Sequence, residues 1–172
     1  MSRPLLVGLL VLNHIIVLVR AVGNGDVLSD RPISGTSVAK GENSVIAGGR
    51  FHETSNDAEY AFIGGGYQNT ATGNLSIISG GTFNRATSGL DFVGGGEVNT
   101  ASGYGSVVVG GSYNNAEHRY SVIAGGIFNS AVGSFSVLVG GTTNYIEGSA
   151  GTIGGGAFHR LTVRDSVVVE CI

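Results

Sequence analysis

The chain has 172 residues, 31 of them glycine, and a formal net charge of −3; 42% of its residues are hydrophobic and 12% are charged. Glycine does not recur at every third position, which excludes collagen, and the hydrophobic content argues against intrinsic disorder. No basic surface for phosphates is expected, so we predict no nucleic-acid partner. Glycine disfavours helices, and the larger apolar residues beyond the N-terminus are mostly Val, Ile and Phe, so we predict an all-β fold.

Residues 1–23 indicate an export signal or a hydrophobic anchor. The basic start at Arg3 is followed by the apolar run "LLVGLLVLNHIIVLV" and a small-residue exit near Ala21 and Gly23. The run is short for a membrane span, which needs about 20 residues, and its layout is typical of a signal peptide. We therefore expect a secreted or cell-surface protein. The single cysteine, Cys171, excludes a disulfide within the chain but could pair between chains.

A repeat follows, preceded by a cap and partial repeat at residues 24–43. Its units begin at Ser44, Ala61, Ser76, Asp91, Ser106, Ser121, Ser136, Gly151 and Ser166. The first interval is 17 residues and every later interval is 15. Such fixed self-similarity is typical of repeat architectures. We predict that residues 44–172 form a narrow parallel β-solenoid of 15-residue units, each with two short strands and two turns, and that no helix is longer than a turn or two.

Positions within a unit are numbered here from its first residue. Positions two and three are both apolar, as in Val122 and Ile123. Because successive strand residues face opposite sides, one of them points into the interior and the other needs a cover, most simply another chain. Position eleven, as in Ala131, is predicted to point inward from the second strand. Position eight is often aromatic, as in Phe128, and this row is predicted to be a core or an oligomer seam, with a binding platform as the alternative.

Positions five and six hold a glycine pair in each complete unit, which indicates turns with positive φ or a close approach between backbones. Position nine is held by Asn69, Asn84, Asn99, Asn114, Asn129 and Asn144. We interpret these asparagines as structural: they tolerate the left-handed turn conformation, and amides stacked every ~4.8 Å can bond to one another as a ladder. His52 and His159 take position nine at the two ends, about 34 Å apart at that spacing, so they cannot share a metal ion.

The segments "SVVVGGSYNNA" (106–116), "SVIAGGIFNSAVG" (121–133) and "SVAKGENSVIAGG" (37–49) resemble the head repeats of trimeric autotransporter adhesins. The family unit is usually one residue shorter, and this chain adds a second glycine and the regular asparagine. The resemblance implies a left-handed β-roll assembled as a homotrimer. It also implies a partner such as a host-surface protein, a matrix protein or a glycan.

The function predicted from the sequence is therefore that of an exported structural or adhesive rod, and not of an enzyme. The acidic residues Asp57 and Glu59 lie in the irregular first unit, and the others scatter over different positions, so we expect no catalytic site, metal, cofactor or small-molecule substrate. Two alternatives stay open. A phage or viral fibre protein has similar repeats, and an ice-binding solenoid would explain Thr70-Ala-Thr72, although Arg85 interrupts the same surface.

Overall fold

The structure is a computed structural model. It describes residues 9–12, 15–18, 26–27 and 37–169. Strands β1 (Leu9–Leu12) and β2 (Ile15–Leu18) form an antiparallel pair in which Leu9 lies opposite Leu18. The rest of the predicted export signal lies outside the described residues, as does Cys171. The role assigned to residues 1–23 stays a prediction.

The first sheet of the repeat contains ten strands, and every neighbouring pair is parallel. In chain order, its strands are β3 (Asp26–Val27), β4 (Val45–Ile46), β6 (Phe62–Ile63), β8 (Ile77–Ile78), β10 (Phe92–Val93), β12 (Val107–Val108), β14 (Val122–Ile123), β16 (Val137–Leu138), β18 (Thr152–Ile153) and β20 (Val167–Val168). From β4 onward each unit contributes positions two and three. The register steps by 17 residues from Val45 to Phe62 and by 15 thereafter, as the sequence predicts.

The second sheet contains eight strands, again parallel to one another. They are β5 (Glu53–Thr54), β7 (Thr70–Ala71), β9 (Arg85–Ala86), β11 (Thr100–Ala101), β13 (Asn115–Ala116), β15 (Ser130–Ala131), β17 (Tyr145–Ile146) and β19 (Arg160–Leu161). In every unit this sheet uses positions ten and eleven. From β4 onward the chain therefore alternates between the two sheets with each strand, which is the connectivity of a parallel solenoid.

A third ladder of single-residue bridges was not predicted. Position seven of each unit pairs in parallel with position seven of the next, as in Ser112 with Ile127. One residue per unit is too short to leave a pattern in the sequence. The prediction of a parallel β-solenoid with 15-residue units is confirmed, and the described residues contain no helix. The prediction of two ladders per unit is incomplete, because the described units form three.

The core is a double column of side chains between the two sheets. From the first sheet, position three is fully buried at Ile46, Ile63, Ile78, Val93, Val108, Ile123, Leu138 and Ile153. From the second sheet, position eleven is buried at Ala71, Ala86, Ala101, Ala116, Ala131, Ile146 and Leu161. Each buried Val, Ile or Leu contributes about 1.5–3 kcal/mol relative to exposure. Position two is partly exposed, as at Val122, so the predicted division of the two apolar positions between interior and exterior is confirmed.

The aromatic row at position eight does not belong to this core. Phe128 is 55% exposed and Phe158 is 78% exposed. The expectation that the row is part of the core of this chain is therefore wrong. Its alternative, a seam between chains, stays a prediction.

Candidate functional site: the asparagine ladder and two outer faces

The position-nine asparagines are buried, and each amide joins two neighbouring units. Asn99 illustrates the pattern: its Oδ1 accepts the backbone N–H of Asn114 at 3.0 Å, and its Nδ2 donates to the carbonyl oxygens of Gly95 at 2.9 Å and Gly111 at 2.8 Å. The same three bonds recur at all six asparagines. Every amide group is thus satisfied by backbone of its own unit and of the next.

Two details of the predicted ladder are wrong. The amides do not bond to one another, because each oxygen faces a backbone N–H and each nitrogen faces backbone carbonyls. The asparagines also do not adopt the left-handed conformation. The residue before each position-nine asparagine or histidine does, with φ between 50° and 61°, at Phe51, Gln68, Phe83, Val98, Tyr113, Phe128, Thr143 and Phe158. The chain turns one residue earlier than expected, and this turn directs the following amide into the interior.

The ladder extends beyond the asparagines at both ends. The N–H of His52 donates to Ser37 Oγ at 3.1 Å, and His52 Nδ1 accepts the N–H of Asn69 at 3.0 Å. At the other end, the N–H of His159 donates to Asn144 Oδ1 at 3.0 Å. One series of position-nine hydrogen bonds therefore runs from Ser37 to His159. An imidazole nitrogen can accept a hydrogen bond in the place of an amide oxygen, which explains why histidine fits this position.

The two glycines of each pair differ in what they require. Gly111 has φ of 86°, and a Cβ added there would lie 2.2 Å from the Gly126 carbonyl oxygen and 2.6 Å from Asn114 Nδ2. A side chain at position six would therefore collide with the next unit and with the ladder. Gly110, at position five, has no positive φ, and an added Cβ would have nothing within 4 Å. The fold of a single chain therefore requires glycine at position 111 but not at position 110.

The outer face of the first sheet is apolar, and in the described units no charged residue lies at its positions two and four. Position two holds Val45, Phe62, Ile77, Phe92, Val107, Val122, Val137, Thr152 and Val167, and position four holds Ala47, Gly64, Ser79, Gly94, Val109, Ala124, Val139, Gly154 and Val169. Val109 and Val139 are 51% and 52% exposed. A contiguous apolar face of this kind is typical of an interaction surface.

The outer face of the second sheet is polar and carries both signs of charge. Position ten holds Glu53, Thr70, Arg85, Thr100, Asn115, Ser130, Tyr145 and Arg160, and position twelve holds Ser55, Thr72, Thr87, Ser102, Glu117, Val132, Glu147 and Thr162. Across two units, Arg160 Nη2 lies 3.3 Å from Glu147 Oε2 in an exposed ion pair. Such an exposed pair contributes little to stability.

Large side chains occupy two corners where glycine or asparagine would be expected. Besides position eight, the residue directly before the start of a unit, which is position fifteen in the 15-residue units, has φ between 53° and 61° at Asn43, Tyr60, Leu75, Leu90, Tyr120, Phe135, Ala150 and Asp165. This conformation costs roughly 1–2 kcal/mol at a residue that has a Cβ. Contacts between units offset the cost: the N–H of Phe128 donates to the Ser112 carbonyl at 3.0 Å, and its ring stacks on Tyr113 with centroids 4.9 Å apart. Sequence reasoning missed these corners because the residue types give no signal for positive φ.

Asp91 places a buried carboxylate where most units have serine. Its Oδ1 accepts both the N–H and the hydroxyl of Ser106 at 2.9 Å, and its Oδ2 accepts the N–H of Ser88 at 2.7 Å. Burial raises the pKa of Asp91, and these hydrogen bonds offset part of the rise. By contrast, the buried hydroxyl of Ser76 at the same position has no hydrogen-bond partner.

Within the part of the chain that the structure describes, no three His, Cys, Asp or Glu residues are placed to hold a metal ion.

A scan against protein-family models finds no match for this chain, and a search of curated proteins also finds none. Across the described residues, no helix has the length and apolar character needed to cross a membrane.

Proposed function

We propose that the protein is an exported structural or adhesive rod that assembles with copies of itself through the outer face of the first sheet. The observation that supports this proposal is the uncharged face from β4 to β20, which runs beside a charged face built on the same units. Folding of one chain does not require the outer positions of the first sheet to be apolar. A second copy of the chain would remove them from water.

The size of the first face suits such an assembly. Nine strands spaced by ~4.8 Å give a length of about 40 Å, and the five positions from one to five span about 16 Å at ~3.3 Å per residue. The resulting area of about 650 Å² per chain lies within the range of standard stable interfaces, which bury about 600–1,000 Å² per partner. We propose a homotrimer, as the resemblance to adhesin heads implies.

The outer face of the second sheet stays accessible in this arrangement. Its hydroxyl, amide and charged side chains offer both hydrogen-bond donors and acceptors, as at Thr100, Asn115 and Glu117. A protein or glycan on a cell surface or in a matrix is the kind of partner that such groups bind. We propose that adhesion uses this face.

An ice-binding rod is a second candidate, because one observation favours it. Thr70, Thr72 and Thr87 lie at outward positions on adjacent units of the second sheet. Arg85 pairs with Thr70 on the same face, in the next unit, and interrupts the hydroxyl row. A fibre-type structural protein would need only the self-assembly and no ligand.

Light scattering of the full-length chain tests the assembly. A trimer mass at micromolar concentration is the expected result, and a stable monomer at high concentration would contradict the proposal. Binding to immobilised matrix proteins and glycans then separates adhesion from a purely structural role. A thermal-hysteresis measurement decides the ice-binding alternative, since an adhesive or fibre-type rod gives no hysteresis.

A further inference from the structure

His52 is the titratable member of the ladder at its N-terminal end. Its side chain is only 1% exposed. Because Nδ1 accepts the N–H of Asn69 at 3.0 Å, the neutral imidazole must carry its proton on Nε2. Nε2 makes no hydrogen bond of standard geometry. It lies close to the backbone of Gly49, because a Cβ added to Gly49 would be 2.3 Å from it.

Protonation of His52 would turn its attractive contact with the Asn69 N–H into a repulsive one. A proton on Nδ1 would place two donors, the imidazolium N–H and the Asn69 N–H, against each other at the distance of the present bond. It would also bury a positive charge. The residues around His52 include Ser37, Val38, Gly49, Gly66 and Asn69, and none of these five carries a charge.

Charged groups nearby do not compensate. Arg50 and Glu53, on the same segment, are exposed, and Glu53 pairs with Lys40 of the preceding segment. From the following unit, Gly66 and Asn69 offer only backbone. Burial lowers the pKa of His52, and backbone contacts with Asn69 and Gly66 offset part of this effect.

We propose that His52 is an acid-sensitive switch at the joint between the first and second units, where protonation breaks the bond to Asn69 and loosens residues 37–54 from the rest of the solenoid. At the six later position-nine sites an asparagine, which does not titrate, makes the same bond. Acid sensitivity at position nine is therefore confined to the ladder ends, and the fully buried end is His52.

The direction of the pH effect follows from the lowered pKa. The native state binds fewer protons at His52 than the unfolded chain, whose histidine titrates near 6.5. The stability that the neutral imidazole and its bond contribute is fully present above pH 6.5 and declines as the pH falls below that value toward the lower native pKa. Residues 37–54 should thus be firmly attached to the second unit at neutral pH and open more often in acid.

Nuclear magnetic resonance on the full-length chain tests the switch. At pH 7.5, the nitrogen shifts of His52 should show an unprotonated Nδ1. Between pH 7 and pH 5, after correction for intrinsic exchange, the amide of Asn69 should lose about tenfold more protection than that of Asn99, which corresponds to the loss of one hydrogen bond. A protonated Nδ1 at neutral pH, or parallel loss at both amides, would overturn the proposal.

Two variants sharpen the test. His52→Asn makes the joint resemble the later units, and the acid-dependent loss at Asn69 should disappear. His118→Asn removes an exposed histidine and should leave that loss unchanged. An acid step that persists in His52→Asn would exclude His52 as its source. If His52→Asn does not fold, the tautomer and exchange data from the unmodified chain still decide the question.

Discussion

Val122 and Ser130 lie eight residues apart in one unit, and each is the outward residue of its two-residue strand. Their inward neighbours, Ile123 and Ala131, are both fully buried in the same core. Outside, however, the first sheet presents valine, phenylalanine and isoleucine, and the second presents hydroxyls and charges. The core constrains only the inward positions, so an apolar row on one exterior alone points to a requirement outside the single chain.

The largest expected difference is in self-assembly, between a charge placed on the outer face of the first sheet and one placed on the outer face of the second. Val139→Glu puts a carboxylate on the first outer face, and Val132→Glu puts the same group on the second. An unpaired charge buried at an interface costs about 3–5 kcal/mol, so Val139→Glu should weaken self-assembly at least a hundredfold. Val132→Glu should leave the mass unchanged. Sedimentation of both variants measures the effect, and equal masses would remove the distinction between the faces.

The glycine pair at the edge of the first face gives a second contrast. Gly111→Ala should lower the free energy of unfolding by about 3 kcal/mol or more, because it combines positive φ with a collision against the next unit. Gly110→Ala should be neutral or stabilise the fold by about 0.4–1 kcal/mol. Denaturant unfolding provides the comparison. A loss of assembly in Gly110→Ala without a loss of stability would show that the interface extends to this corner.

The inner edges of the two sheets should differ as well. Asn99→Ala removes three hydrogen bonds and leaves the Asn114 N–H and the Gly95 carbonyl without a partner, so it should cost about 3 kcal/mol. Ser76→Ala at the edge of the first sheet removes a buried hydroxyl that has no partner, and should have almost no effect. Ser112→Ala, at a partly exposed position, is a further control. Similar melting shifts in all three variants would contradict a structural role for the asparagine ladder.

The smallest expected effect concerns the carboxylate at the inner edge of the first sheet. The raised pKa of Asp91 means that the native state holds its proton more tightly than the unfolded chain, which titrates near 3.8. Asp91 therefore lowers stability as the pH rises from 3.8 to its native pKa, by about 1.4 kcal/mol for each unit of the rise. Unfolding of Asp91→Ser should lack this decline. A parallel pH dependence in both proteins would exclude Asp91 as the cause.

The sequence predicted what depends on side-chain alternation. The inward residues, such as Ile123 and Ala131, follow from the period of the repeat and from the two faces of a strand. The change of register after the first unit is likewise visible as an interval of 17 residues between Ser44 and Ala61.

What the sequence did not predict depends on contacts between units. The positive φ of Val98 and Thr143 contradicts the preference of β-branched residues and is maintained by hydrogen bonds to the preceding unit. The partners of the amides, and the difference between Gly110 and Gly111, likewise become apparent only when one unit lies on the next. A linear pattern shows that a position recurs, but it does not show which atoms of the neighbouring unit it meets.

The regular spacing of the units also means that the length of the solenoid depends on the number of units. Each unit from residue 61 onward bonds to its neighbours through the same 15-residue step, as from Val107 to Val122 and from Asn115 to Ser130. Whole units can therefore be gained or lost without changing any contact type, and each one alters the length by ~4.8 Å. The 17-residue first unit keeps Ile46 and Ile63 inward, so two extra residues in a turn leave the register of the strands unchanged. The length of the solenoid can thus change by whole units during evolution, while its cross-section stays the same.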